Sequence, residues 1–193
     1  MGGRFFLFIV VVILIVGAKN LSASSLITIE SQKARLTLIL LTKLIKLEKN
    51  LKNKNRIKIL VFLPQNQSAF QDQNIVNEAV KNFLRENKHI FEPIYVSSVN
   101  KAKEIIQEKH IDVVYIAGLD KSIKDLIDLA NKKGILTISH IIELVPKGVA
   151  ISLDLERRKA CILANAKTWK ELKLKFPPQV LSKITFTFEY DGL

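Results

Sequence analysis

The chain has 193 residues, of which 48% are hydrophobic and 25% charged. That balance excludes a disordered or fibrous polymer and is enough for one folded domain without disulfide staples. With 30 Lys and Arg against 18 Asp and Glu the formal net charge is +12, and the lone cysteine, Cys161, excludes an internal disulfide.

The first elements in chain order are those of an export signal. Arg4 supplies a short positive start, Phe5 to Val16 is an unbroken apolar run, and Gly17 to Ser24 is polar with small residues. This order is that of a secretory signal peptide, and the run is short against the ~20 residues a spanning helix needs. The reading is a signal over residues 1–23, cleaved after Ala23 with Ala18 as the alternative site, and a single domain over 24–193.

Ser31 to Leu47 opens with a capping Thr28 or Ser31, and Ala34, Leu38, Leu41 and Ile45 repeat at helical spacing, which predicts a mostly buried helix. A polar connector follows, and then Ile57 to Leu63 reads as a buried strand stopped by Pro64. Beyond a polar loop, Asp72 to Glu86 is an amphipathic helix. Pro93 to Ser97 is strand-like, Asn100 to Lys109 helical, Ile111 to Ala117 a second buried strand. Lys121 to Lys133 is a further amphipathic helix, capped by Gly134, and Ile135 to Ile138 another strand. Strands alternating with helices imply βαβ units and a mainly parallel sheet.

After Ser139 the pattern changes. Gly148 to Leu153 and Lys159 to Asn165 read as two strands joined by the charged turn Asp154 to Arg158, which predicts a hairpin. Ala166 to Leu174 is a short helix, Pro177-Pro178 opens another through Lys183, and Ile184 to Tyr190 alternates like a half-exposed edge strand, a possible homodimer contact. The fold expected is α/β: a single three-layer domain, a mainly parallel sheet with a C-terminal β-hairpin, flanked by helices.

The sequence holds no catalytic motif. There is no G-x-S-x-G, no G-x-G-x-x-G and no P-loop, and seven glycines in all leave little for a phosphate cradle. His89, His110 and His140 have no metal-ligand spacing. Asp112 lies at a strand entry, Asp120 near a helix start where capping explains it, and Cys161 in an apolar stretch that reads as buried. No catalytic residue, metal ligand or cofactor is assigned. In parallel sheets ligands sit beyond the carboxyl ends of the strands. Those ends carry Gln65, Asn66, Ser68 and Ser139, the candidate lining of a crevice for an unidentified small molecule. Lysines spread over every helix read as solvated faces, and export argues against nucleic acid, which leaves an acidic partner loop or anionic lipid heads as the use for the excess charge.

Several segments together resemble the YfiR-like family. They are the apolar helix Lys33 to Leu47 leading into Ile57 to Phe62, the strand Asp112-Val113-Val114-Tyr115-Ile116, the block Gly134-Ile135-Leu136-Thr137-Ile138-Ser139, the strand Gly148-Val149-Ala150-Ile151 before a charged turn, its partner Lys159 to Asn165, and the helical end Leu172 to Leu181. The chain departs from the family where a Trp-Pro pair is replaced by Leu51-Lys52-Asn53 and where His140 stands for Asp. The resemblance implies a non-catalytic periplasmic regulator that binds the sensor domain of an inner-membrane signalling protein such as a diguanylate cyclase, linking it to cyclic-di-GMP. The alternative is a small periplasmic solute-binding or transport receptor, since the βαβ run also looks like one lobe of such a protein.

Overall fold

A computed structural model describes residues 29–64, 71–154 and 161–187, without the side chains of Gln71 and Asp72. The expected signal over 1–23, most of the turn at 154–158 and the end of the last strand lie outside those residues. Helix α1 (Ile29–Ile45) leads into β1 (Ile57–Phe62), then α2 (Gln71–Glu86), β2 (Phe91–Val96), α3 (Val99–Glu108), β3 (Val113–Ile116), α4 (Ile123–Lys132) and β4 (Leu136–Ser139). A 3-10 turn at Ile142–Leu144 precedes β5 (Ile151–Asp154) and β6 (Cys161–Asn165), followed by α5 (Ala166–Glu171), α6 (Pro178–Leu181) and β7 (Ile184–Thr187).

The strands form one sheet in the order β2-β1-β3-β4-β5-β6-β7. Every pairing is parallel except β5 with β6, where Ile151 faces Ala164 and Asp154 faces Cys161. This is the expected parallel sheet with its C-terminal hairpin. Alternate residues feed two separate cores. Ile59, Val61, Val113, Tyr115 and Ile138 meet Ala34, Leu38 and Leu41 of α1 and Val76, Val80 and Leu84 of α2. Leu60, Phe62, Val114 and Ile116 meet Ala102 and Ile106 of α3 and Leu126 and Ile127 of α4. With both faces covered, the central strands are apolar at most positions, which is why they read as near-continuous runs.

Local boundaries have local causes. Gly134 takes φ +72, and the Ile135 amide donates back to the Ala130 carbonyl at 2.9 Å, which ends α4 as a glycine cap does. Strand β2 starts at Phe91, two residues before the expected start at Pro93. The proline is tolerated inside it because β2 pairs only with β1 and lies at the sheet edge. Cys161 is only partly buried, with Sγ 3.1 Å from the Thr185 hydroxyl. The reading of it as a core residue is corrected, because Cys161 opens β6 one residue before the pairing with β7 begins at Ile162. Trp169 closes this end, its ring tilted against Phe176 at 5.2 Å and edge-on at 5.3 Å to Phe186.

Candidate functional site

The chain leaves β1 to form β2 on one side and returns to form β3 on the other. The carboxyl ends of β1 and β3 therefore flank the switch point where a crevice is expected. Gln65, Asn66 and Ser68, which follow Pro64 in the sequence, lie outside the described residues. Pro64 and Gln73 close the part of the crevice that is described. A Cβ built on Gly118 would stand 2.4 Å from Pro64 Cγ and 2.9 Å from Gln73 Oε1. Gln73 Nε2 donates to the Ala117 carbonyl at 3.0 Å and to Asn77 Oδ1 at 2.9 Å. The first turn of α2 is thereby tied to the end of β3.

Ser139 is fully buried. Its hydroxyl donates to the Ile116 carbonyl at 2.8 Å and accepts from the Ile141 amide at 3.0 Å. Its hydrogen-bonding capacity goes into joining the ends of β3 and β4. His140 is also buried, and its Nδ1 lies 3.0 Å from the Tyr115 hydroxyl beneath α1. Burial, reinforced by the positive charge of Lys33, lowers the His140 pKa from 6.5 to about 4. The Tyr115 phenol is pushed well above 10 by burial, so both groups are neutral at pH 7.

The open space lies to one side of the expected position. A depression of about 380 Å³ sits between α2 and the edge strand, lined by Leu63, Asn74, Asn77, Glu78, Lys81, Tyr95 and Ser97. Glu78 and Lys81 pair at 2.9 Å on its rim. Tyr95 is 42% exposed, although it stands in a strand whose other end is buried. The sequence shows an aromatic in the strand-like run Pro93–Ser97, but its exposure is visible only in the structure. A second groove of about 400 Å³ on the opposite face is lined by Lys124, Asp128, Asn131, Gly148 and Thr168. Its polar groups bond to one another: Asn131 Nδ2 and the Thr168 hydroxyl both donate to the Gly148 carbonyl, at 2.9 and 3.0 Å.

At the amino end of the sheet two buried carboxylates hold loops. Asp112 accepts from the Lys58 amide at 2.9 Å, lies 3.0 Å from His110 Nε2 and pairs with Lys54. Glu48 accepts from the amides of Asn50 and Leu51 at 2.6 and 3.0 Å and from that of Lys175 at 3.3 Å. Among the described residues no group of three or more His, Cys, Asp or Glu gathers as metal ligands, and no helix is long and apolar enough to cross a membrane.

No curated protein matches the chain. Among solved structures it is similar to the ligand-free, open form of CD0873, a substrate binding protein with adhesive properties from Clostridium difficile. The TM-score is 0.56 at 15% identity, covering 79% of this chain and 58% of that one. A conserved domain protein from Vibrio cholerae O1 biovar El Tor gives 0.55 at 16% identity, over 80% and 60%. An ABC domain from Streptococcus pneumoniae in complex with L-Trp gives 0.54 at 14%, over 80% and 61%. The chain thus spans about three-fifths of each, and the likeness is one of fold. A family model described as YfiR/HmsC-like (DUF4154) matches residues 13–183, from before α1 to the residue preceding β7. The chain belongs to the YfiR/HmsC-like family.

Proposed function

We propose that this protein is an exported, non-catalytic regulator that works in the periplasm by binding the sensor domain of an inner-membrane signalling protein, such as a diguanylate cyclase. The observation that carries the reading is the family match over residues 13–183. The use of the buried and half-buried polar groups supports it. Asp112, Glu48, Ser139 and Gln73 each hold backbone in place rather than converging on an open site. Regulation then follows from differential affinity for two states of the partner. A small molecule held by Gln65, Asn66 and Ser68 is the proposed stimulus. Ser139 is left out of this lining because its hydroxyl is spent inside the fold.

The test is crosslinking and pull-down from the periplasm of the native host, with cyclic-di-GMP measured after deletion of the gene. Recovery of an inner-membrane cyclase and a rise in cyclic-di-GMP are the expected results. Unchanged cyclic-di-GMP with recovery of transporter subunits would instead favour a solute receptor, the second reading. The similarity of fold to a substrate binding protein and to a domain holding L-Trp speaks for that second reading. Against it, the chain spans only about three-fifths of either. A homodimer through β7 is part of the proposal, because that edge carries no proline or charge over Ile184–Thr187 whereas the β2 edge carries Pro93 and Glu92. A monomer by light scattering would remove it.

A further inference from the structure

The excess positive charge is unevenly distributed, and the ion pairs show where it is not neutralised. Five lysines on the helices have acidic partners. Lys33 pairs with Glu30, Lys81 with Glu78, Lys101 with Glu104, Lys103 with Asp125 and Lys124 with Asp128. The connector from α1 to β1 is different. It carries Lys46, Lys49, Lys52 and Arg56, with Lys58 next to it at the start of β1, all exposed, and none of them has an ion-pair partner among the described residues. Its one acid, Glu48, is 1% exposed and turned onto backbone amides.

Two carboxylates hold this basic connector in shape. Glu48 fixes its first turn and ties it to the 173–176 segment, where the Lys49 amide also donates to the Lys175 carbonyl at 3.2 Å. Asp112 fixes its far end through Lys54 and the Lys58 amide. Cations are expected at helix C-termini, where they offset the dipole, and this accounts for Lys46 just beyond α1. It does not account for Lys49, Lys52 and Arg56 farther along the connector, or for Lys58 at the start of β1.

We infer that this connector, with Lys175 beside it, is a docking surface for an anionic phospholipid bilayer. The residue types decide between a membrane and a protein partner. Protein interfaces are depleted in lysine and enriched in arginine and aromatics. This surface is mainly lysine, has no aromatic between Lys46 and Arg56, and carries Leu47 at 40% exposure among its cations. Clusters of several lysines are the usual means of attraction to anionic lipid, through a diffuse field rather than paired contacts. The inference concerns lipid alone and does not depend on which signalling protein is bound.

The test is co-sedimentation of the full chain with vesicles of phosphatidylglycerol and phosphatidylcholine against vesicles of phosphatidylcholine alone. The readout is the difference between the two, so any insertion of the apolar N-terminal segment cancels. The quadruple variant K46Q/K49Q/K52Q/K58Q is expected to lower the anionic preference by about 100-fold at low salt. The control K81Q/K101Q/K121Q/K124Q removes the same charge from elsewhere and is expected to change it by less than about 3-fold. The wild-type preference is expected to collapse as salt rises past ~0.15 M. If the quadruple variant melts early, K49Q/K52Q alone is expected to give about a tenfold loss. Equal loss in test and control would overturn the inference, as would no anionic preference, or binding to an acidic polypeptide without binding to vesicles.

Discussion

The Tyr115 hydroxyl and His140 Nδ1 lie 3.0 Å apart in the core, and the same hydroxyl is 3.4 Å from the Ala34 carbonyl of α1. The rings are stacked at 6.1 Å. The pair joins β3, the end of β4 and the overlying helix by polar contacts in an otherwise apolar layer.

Stability should fall on mild acidification because His140 is buried as a neutral imidazole. The folded-state pKa of His140 is about 4 against an ordinary 6.5. Between those values the unfolded chain binds the extra proton and the native state does not. The His140 contribution is therefore complete above about pH 6.5 and is lost progressively as pH falls toward 4, by up to about 3 kcal/mol. Denaturant melts at pH 7, 6, 5 and 4 should show the slope, and His140→Gln should flatten it over this range. An equally steep slope in the variant would place the effect on other groups.

Removal of the phenol hydroxyl tests the contact itself. Tyr115→Phe keeps the ring in place and leaves His140 Nδ1 without its partner. The expected cost is about 1–2 kcal/mol at pH 7, read as a shift in the urea midpoint without change in slope. A stabilised variant would mean that the buried hydroxyl costs more than its bonds return.

The parallel core was legible in the sequence because both faces are covered. The runs at 57–63 and 111–117 are apolar for the same reason that β1 and β3 are buried. The site was less legible. Ser139 ends a strand, as expected of a crevice residue, but β3 and β5 on either side enclose it. Tyr95 and Asn77 come together only because α2 lies beside β2, a relation between distant segments that periodicity does not encode. The same holds for Asp112. Its place at a strand entry was readable, but its bond to Lys54 across the sheet was not.

Gly118 is a position where the close approach can be tested. An added methyl would overlap the Pro64 ring, which cannot rotate away. Gly118→Ala should therefore separate Pro64 and Gln73 from the end of β3, at a cost of about 1–3 kcal/mol. For a domain of this size that is a fall in Tm of very roughly 2–4 °C per kcal/mol. Gln73→Ala, which trims one of the two groups that the methyl meets, should recover part of the loss in the double variant. Full additivity would show that Gln73 is not part of the clash.

Asp112 offers a sharper comparison, because its carboxylate serves a backbone amide and two side chains at once. Asp112→Asn retains an acceptor for the Lys58 amide but removes the charge that holds Lys54 and faces His110. Asp112→Ala removes all three. A charge-assisted bond is worth about twice a neutral one, so the expected order is wild type, then Asn about 1–2 kcal/mol lower, then Ala about 2–4 kcal/mol lower. Lys54→Met in the wild-type background should cost less than either, because the Lys58 amide still has its acceptor. Hydrogen exchange at the Lys58 amide separates the contributions. It should stay protected in Lys54→Met, weaken modestly in Asp112→Asn and be lost in Asp112→Ala. Protection that survives in Asp112→Ala would show that the strand pairing of β1, rather than the carboxylate, holds that end of the connector.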